Sequence, residues 1–235
     1  MFRALVRLCG ACCAAVALFG AAAGLAESDV VVHDPAHIDG DWKFERRESG
    51  VTVSRRGATG RSLPAFRGEG RVKVHVLSVL AVILDVREVE RWAYGVTDAR
   101  SVRHVDDRTE IVYLYSNTPW PVRDRDMVVR RSVSILKPGS EFAVSIRCEP
   151  GGVPAREGVI RVRDCESRFR VRKLDANTTE IVYEMSLDPE GSVPQWASAF
   201  LARTAPVQTL LAIESRASRN QGRYAAFIRR WSNAM

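Results

Sequence analysis

The residues best placed to do chemistry lie in the segment TPWPVRDRDMVVRRSV, at positions 118 to 133. A strand-like run begins near its middle and carries Arg131 at a position where the alternation of a strand calls for an apolar side chain. The residues that share the parity of Arg131 are all apolar: Met127, Val129, Val133 and Ile135. This alternation predicts that Arg131 points inward, where a guanidinium needs a partner, a water or the polar end of a ligand. A β-bulge before Arg131 would instead turn it outward.

A cluster of charges precedes that strand. Asp124, Arg125 and Asp126 follow directly on a rigid Pro-Trp-Pro sequence. Two acids could serve in acid–base chemistry, but carboxylates two residues apart beside arginines are more typical of structural ion pairs or turn caps. We therefore expect these three residues to hold the Pro-Trp-Pro loop in place.

Patterns typical of metal sites, cofactor sites and nucleophilic catalysis do not occur. The four histidines, at positions 33, 37, 75 and 104, are scattered and lack the companions of a zinc site. The chain contains no G-x-S-x-G elbow, no glycine-rich phosphate loop and no dinucleotide fingerprint. The sequence thus predicts no metal ion, no cofactor and no enzymatic activity.

A stripe of arginines, which could be taken for a nucleic-acid groove, has another interpretation. It consists of Arg161, Arg163, Arg168, Arg170 and Arg172. If the last hairpin folds about residues 175 to 177, part of this stripe faces Glu180 and Glu184, and no stacking aromatic residues interleave with it. The stripe therefore indicates a solvated, salt-bridged face, and no nucleic-acid partner is expected.

The N-terminal segment has the features of a signal for export. Arg3 and Arg7 precede an apolar run that ends in Gly24-Leu25-Ala26, which predicts a signal peptide over residues 1–26. An uncleaved membrane anchor is the alternative, because the run is nearly long enough to span a bilayer. Cleavage would leave 33 basic and 28 acidic residues, so the formal net charge would fall from +7 to +5. A basic exported protein suits anionic lipid headgroups or envelope polymers.

Two cysteines, Cys148 and Cys165, remain after cleavage. They lie on consecutive predicted strands joined by a Pro/Gly-rich loop, in a compartment that permits disulfides. Either a bridge or two small buried thiols would suit these positions.

The spacing of apolar residues along the chain predicts the helices and strands that position these side chains. Residues 34 to 50 predict a short helix before a strand at Val51–Arg55, and a second strand follows from residue 65 to 76. Residues 78–94 carry apolar side chains at spacings of three and four, which predicts one amphipathic helix. From Val102 to Leu187 the period is two, interrupted by turn signals at residues 106–107, 137–140, 150–158 and 175–177.

The last hairpin can be tested for an internally consistent register. Folding about residues 175 to 177 places Arg172 opposite Glu180 and Arg168 opposite Glu184 on one face. The same register pairs aliphatic with aliphatic and aromatic with aromatic side chains on the other face. It therefore predicts an antiparallel meander with one wet side.

A long helix is predicted at the C-terminus. Ser192 is a suitable N-cap, Pro194 occupies the first turn, and Pro206 lies inside, where it marks either a hinge or a fixed kink. Beyond it the tail GRYAAFIRRWSNAM combines apolar and basic residues. The tail could dock transiently on an anionic membrane or pack back on the domain.

Several motifs together resemble the START (steroidogenic-acute-regulatory-related lipid-transfer) domain. They are Trp92 at the end of the long helix, IVYLYSNTPWPVRDRDMVVRR with its Arg125-Asp126 pair, IRVRDCESRFRV, and DPEGSVPQWASAF before the C-terminal helix. The resemblance covers roughly residues 40–218. It implies an α+β helix-grip fold, in which a curved antiparallel sheet wraps around the long C-terminal helix, over a single domain at residues 27–235.

The resemblance also implies a function and a set of site residues. The protein is expected to be a monomeric, non-enzymatic carrier or sensor of a lipid or other hydrophobic small molecule, bound in a tunnel with its mouth at Asp124, Arg125 and Asp126. Arg131 falls where sterol-binding members carry a cavity arginine paired with an acid on the preceding strand; the run IVYLY, residues 111–115, has none, and a tyrosine hydroxyl is the expected substitute. The predicted tunnel and lid residues are Tyr113, Tyr115, Met127, Arg131, Phe169, Tyr183, Met185, Trp196, Phe200, Val207 and Leu211.

Two other functions fit the same sequence. Similar helix-grip folds host aromatic polyketide cyclases, so an enzyme of the cyclase/aromatase type is one alternative. A membrane-tethered interaction module, which keeps residues 1–26, is the other. An inward acid or histidine able to reach a bound substrate would favour the enzyme.

Overall fold

The computed structural model describes residues 41–57, 61, 63–118, 120, 122–191, 193–220 and 222–233, with the backbone alone at 195–202 and 233. The predicted signal peptide, Ser192 and the side chains of Trp196 and Phe200 lie outside the described part. The elements, in chain order, are β1 (Lys43–Glu48), β2 (Val51–Arg56), β3 (Ala65–Val72), α1 (Val76–Leu84), a 3-10 turn (Val86–Glu88), α2 (Val89–Trp92), β4 (Asp98–Asp106), β5 (Thr109–Ser116), β6 (Arg125–Lys137), β7 (Glu141–Cys148), β8 (Ile160–Val162), β9 (Cys165–Lys173), β10 (Thr179–Leu187), α3 (Gln195–Arg219) and α4 (Ala225–Asn233).

Ten strands form one sheet with the order β1-β2-β3-β10-β9-β7-β6-β5-β4, and the short β8 pairs in parallel with β6. All other neighbours are antiparallel. The described part of residues 34–50 is the strand β1, so the short helix predicted there is wrong at residues 43–48. Both edge strands, β1 and β4, contain register shifts, the form in which natural sheets blunt their edges.

The predicted register of the last hairpin is confirmed. Arg172 pairs with Glu180 and Arg168 with Glu184, while Phe169 lies opposite Tyr183. The apolar members of these strands belong to the main core, whose residues lie between this face of the sheet and the helices. We call this the inner face of the sheet.

The helix predicted over residues 78–94 is broken at Asp85. This residue ends α1 in an extended conformation, and its carboxylate accepts a hydrogen bond from the backbone N–H of Arg87, 3.1 Å away, which starts the 3-10 turn. The carboxylate is buried rather than solvated. A capping carboxylate competes with helix continuation, and that competition divides the predicted helix in two.

Two buried acids bind the C-terminal half of the helical layer. Glu88 accepts hydrogen bonds from Arg216 at 2.6 Å and Arg223 at 2.7 Å, and Asp85 accepts one from the Tyr224 hydroxyl at 3.1 Å. Burial opposes ionisation of Asp85, but hydrogen bonds from Arg87 prevail and lower the pKa of its carboxyl group. This network anchors the last turns of α3 to the segment between α1 and α2.

The C-terminal tail packs on the domain. Trp231 of α4 is buried, its ring centroid lies 5.7 Å from that of Phe142, and Phe227 stacks on it at 5.5 Å. Of the two roles predicted for the tail, the structure therefore shows packing.

Candidate ligand-binding site

A cross-strand row of side chains crosses the inner face at the level of Arg131. Antiparallel pairing places its members side by side on successive strands from β5 to β3. The members are Glu110, Arg131, Ile146, Ser167, Met185 and Phe66. The row is apolar except at Ser167 and at the β5–β6 end, where the two charges lie.

Arg131 and Glu110 form a buried ion pair. One terminal guanidinium nitrogen of Arg131 donates to Oε2 of Glu110 over 2.9 Å, and the two residues are 1% and 0% exposed. Arg131 shares its face with Val129 and Val133, so its predicted inward orientation is confirmed. Burial lowers the pKa of Arg131 to about 9, while the Glu110 carboxylate opposes that shift, and the guanidinium stays charged at neutral pH.

The partner of Arg131 differs from the prediction. A tyrosine hydroxyl was expected because residues 111–115 contain no acid; the acid lies one position earlier, at Glu110, directly opposite Arg131. Its second oxygen, Oε1, has no hydrogen-bond partner among the described residues and lies 3.7 Å from Nε2 of His104. The His104 side chain is 49% exposed, whereas the Glu110 side chain is fully buried.

Tyr113 and Tyr115 do not line the interior. Strand β5 directs Val112 and Leu114 into the main core, so the tyrosines point to the opposite, outer face, where they pack with Val128 and Val153. The Tyr113 hydroxyl donates to Asp126, and the Tyr115 hydroxyl donates to Asp124. The prediction that these two tyrosines contact a ligand in the tunnel is wrong.

The other predicted wall residues with described side chains lie on the inner side, within the main core. They are Met127, Phe169, Tyr183 and Met185 on the sheet and Val207 on α3, with Leu211 packed against them. Phe169 stacks on Tyr183 with a centroid distance of 4.4 Å, and Trp92 meets Phe169 edge-on at 5.7 Å. The indole Nε1 of Trp92 is buried without an acceptor among the described residues, which makes it a polar group of the interior that the sequence analysis missed.

A disulfide closes the next row on the inner face. Cys148 of β7 lies opposite Val129, Cys165 of β9 lies opposite Leu187, and the two cysteines are bridged. Of the two roles left open by the sequence, the structure shows the bridge. It joins the ends of β7 and β9 beside the row that holds Arg131.

The predicted mouth cluster holds two loops. Asp124 accepts hydrogen bonds from the backbone N–H of Thr118 at 2.7 Å and from the Thr118 hydroxyl at 3.3 Å, while that hydroxyl donates to the carbonyl of Val122 at 2.7 Å. Asp124 thus fixes the base of the Pro-Trp-Pro loop, as expected. At the tip, Trp120 is 91% exposed.

Arg125 and Asp126 act on other partners. The buried Arg125 guanidinium donates to the carbonyls of Pro189 at 3.5 Å and Glu190 at 3.2 Å, in the turn that precedes α3. Asp126 forms a two-bond ion pair with Arg161, at 2.7 and 2.9 Å. Of the three residues, Asp126 is in an ion pair, while Arg125 ties the start of β6 to the turn that precedes α3.

Helix α3 packs tightly against β3 at Pro206 and Leu210. A Cβ atom built on Gly68 of β3 would lie 2.9 Å from Cβ of Pro206, and one on Gly70 would lie 3.1 Å from the Leu210 side chain. Only glycine leaves room for this contact. The helix therefore rests directly on the backbone of β3, four strands away from Arg131.

Two kinds of structure, a metal-binding cluster and a membrane-spanning helix, are not found among the described residues. No group of three or more His, Cys, Asp or Glu side chains among them could hold a metal ion. None of the helices in the described ranges combines the length and apolarity needed to cross a bilayer.

Comparisons with known proteins agree on one family. The START domain model matches residues 25–206. The uncharacterized protein PA1579 of Pseudomonas aeruginosa is 26% identical over 179 residues, which cover 76% of this chain and 88% of that protein. Human START domain-containing protein 10 is 22% identical over 126 residues, 52% of this chain and 43% of that protein.

Solved structures show the same fold. A STAR-related lipid transfer protein from Xanthomonas axonopodis superposes with a TM-score of 0.67 at 28% identity, covering 75% of this chain and 98% of that one. Human STARD10 superposes with a TM-score of 0.69 at 16% identity, covering 80% and 78%.

Proposed function

Because the chain belongs to the START domain family, we propose that it binds a lipid or another hydrophobic small molecule between the sheet and α3 and acts as a carrier or sensor. The observation that carries the proposal is the Arg131–Glu110 pair. A buried pair of this kind contributes little net stability compared with apolar residues of the same size. The presence of two charges on a largely apolar inner face is explained if the pair binds the polar end of a ligand.

The chemistry of the pair indicates the kind of polar group. Glu110 Oε1 accepts no hydrogen bond from a described residue, so it can accept one from a ligand hydroxyl. The adjacent guanidinium supplies donors to the same group. We therefore infer a ligand with one hydroxyl or carboxyl end on an apolar body, and Trp92 Nε1 offers a second donor in the interior.

The same observation supports a non-enzymatic role. Glu110 is an inward acid, the feature that would favour a cyclase-type enzyme. However, its Oε2 already accepts a hydrogen bond from the Arg131 guanidinium at 2.9 Å, so this carboxylate is engaged in a buried ion pair. We propose binding without chemical conversion of the ligand.

Export and membrane contact complete the proposal. The disulfide suits an oxidising compartment, in line with a signal peptide at residues 1–26. Trp120, at the tip of the loop beside the turn that Arg125 holds, presents an exposed indole of the kind that partitions into the membrane interface. The register shifts on both edge strands support a monomer.

Native mass spectrometry of the protein, purified without detergent, tests the proposal. We expect a mass increment from one bound molecule, identified after release as an amphiphile with a hydroxyl or carboxyl end. The double variant Arg131→Leu/Glu110→Leu, which leaves no lone buried charge, should stay folded and lose that molecule. A folded wild-type protein that is empty and takes up no added lipid would contradict the carrier function and favour the enzyme or the interaction module.

A further inference from the structure

The outer face of the sheet carries a groove that the proposed lipid site does not use. The groove has a volume of about 810 Å³ and is bounded by the β1–β2 turn on one side and the β6–β7 turn on the other. Its lining comes from seven neighbouring strands, which lie in the order β1-β2-β3-β10-β9-β7-β6. Six gaps between adjacent strands give it a length of roughly 29 Å. The lining residues are Arg47, Gly50, Thr52, Arg67, Glu69, Gly70, Arg71, Lys137, Glu141, Arg170, Arg172, Glu180 and Val182.

The charges of this groove are not balanced. Six lining residues are basic and three are acidic. Arg172 is paired with Glu180, whereas Arg170 and Lys137 share the single buried carboxylate of Glu141. Excess positive charge is therefore built into the groove.

Two of its arginines have no partner within the described residues. Arg47 and Arg71 are exposed, and neither guanidinium group makes a hydrogen bond, ion pair or ring contact with any other described residue. They project into the groove from β1 and β3, on the same side of the Arg172–Glu180 pair. Guanidinium groups so placed can each form two parallel hydrogen bonds with a carboxylate.

We propose that this groove binds an extended acidic segment of a partner protein. An extended chain of about eight residues matches the length of the groove, and its alternate side chains recur about every 7 Å. Acidic side chains would pair with Arg47, Arg71 and the Arg170–Lys137 group. Backbone N–H groups would donate to the lining carboxylates, of which Glu69, the ion-pair partner of Arg67, is 40% exposed.

The lining carboxylates favour a peptide over other polyanions. A polyphosphate has acceptors alone, so Glu69, Glu141 and Glu180 would repel it, whereas a peptide backbone brings donors. A bilayer surface is flat and cannot follow a concave groove. The groove also lies on the opposite face of the sheet from α3 and the proposed lipid, so this site stands independently of the ligand proposal.

Fluorescence anisotropy with a labelled peptide of alternating Glu and Ala tests the site on the full chain. We expect saturable binding that weakens about tenfold in Arg47→Ser/Arg71→Ser, because each lost ion pair at an exposed position costs about threefold. The matched control is Arg103→Ser/Arg108→Ser, which removes the same charge from exposed positions on and beside β4, outside the groove. The control should bind the peptide as the wild type does.

Two results would overturn the proposal. One is equal weakening in both double variants, which would show general attraction between a basic protein and an acidic peptide. The other is tighter binding of a polyphosphate of the same charge, or of phosphatidylglycerol vesicles, with the same dependence on Arg47 and Arg71. Melting temperatures of both variants, expected to equal that of the wild type, establish that folding is unchanged.

Discussion

The two faces of this sheet use the same pair of residue types in opposite ways. On the inner face Arg131 lies opposite Glu110 on the neighbouring strand, and on the outer face Arg172 lies opposite Glu180. Both pairs are cross-strand neighbours with bonds of 2.6 to 3.0 Å. They differ in solvent access, since the inner pair is buried and the outer side chains are 45% and 28% exposed.

This difference decides what each pair can do. Water screens the outer charges, so each pair there contributes little, and the face as a whole determines the electrostatic potential of the surface. The inner charges have lost their hydration, so each depends on the other and on any ligand group that reaches them. Burial, rather than the residue types, decides how strongly the two charges of a pair depend on each other.

The largest expected effect tests the inner pair directly. Replacement of Glu110 by Ala should lower the free energy of unfolding by about 3–5 kcal/mol, because it leaves the buried Arg131 without its carboxylate. Chemical denaturation measures this loss. The double variant Arg131→Leu/Glu110→Leu should recover most of it, and a double variant as unstable as the single one would mean that the pair is needed for folding itself.

The inner face should also depend on its disulfide. Replacement of both Cys148 and Cys165 by Ser should cost about 3 kcal/mol, since the bridge closes a loop across 17 positions of sequence in the unfolded chain. Urea unfolding with and without a reductant measures the effect. Reductant should shift the wild-type curve onto that of the variant; a wild-type curve that ignores the reductant would contradict this.

An intermediate case separates burial from the identity of the face. Asp126 and Arg161 lie on the outer face, yet the residues of the 150–158 loop cover them, and their side chains are 1% and 9% exposed. Replacement of Asp126 by Asn should cost about 2 kcal/mol, less than the inner pair, because Arg161 keeps three backbone carbonyl acceptors. Thermal unfolding provides the measurement. A negligible cost would show that the face matters more than burial.

The smallest effect is expected at the exposed pair. Replacement of Arg172 by Ala should shift the melting temperature by less than about 2 °C, because the pair is solvated on the open face. Scanning calorimetry should find this small shift at low salt and a still smaller one at high salt, because salt screens exposed charges. A drop comparable to that of Asp126→Asn would mean that the outer ion pairs act as one cooperative network.

The sequence predicted the parts of the fold in which two independent patterns agree. In the hairpin of β9 and β10, charges on one face and aromatic residues on the other require the same register, and that register is correct. Arg131 was placed inward because its neighbours of equal parity are all apolar. Each of these patterns is local, so no tertiary information was needed.

Other residues were misplaced where the local pattern is ambiguous. The run IVYLY is apolar at both parities, so alternation could not decide which side of β5 carries the tyrosines. Pairing Val112 with Val129 and Leu114 with Met127 would have decided it, since that register puts Glu110 opposite Arg131. The break at Asp85 in the predicted helix could not be foreseen, because two of its partners, Arg223 and Tyr224, lie far along the chain.

The contact of Gly68 with Pro206 sets the distance between the middle of α3 and strand β3. The last turns of the helix are fastened through Glu88 and Asp85, and the proline rests on bare backbone. The distance between β3 and the turns of α3 before the proline therefore depends on the size of the side chain at position 68. Replacement of Gly68 by Ala should move these turns away from the sheet and widen the space between them, without altering any group proposed to contact the ligand.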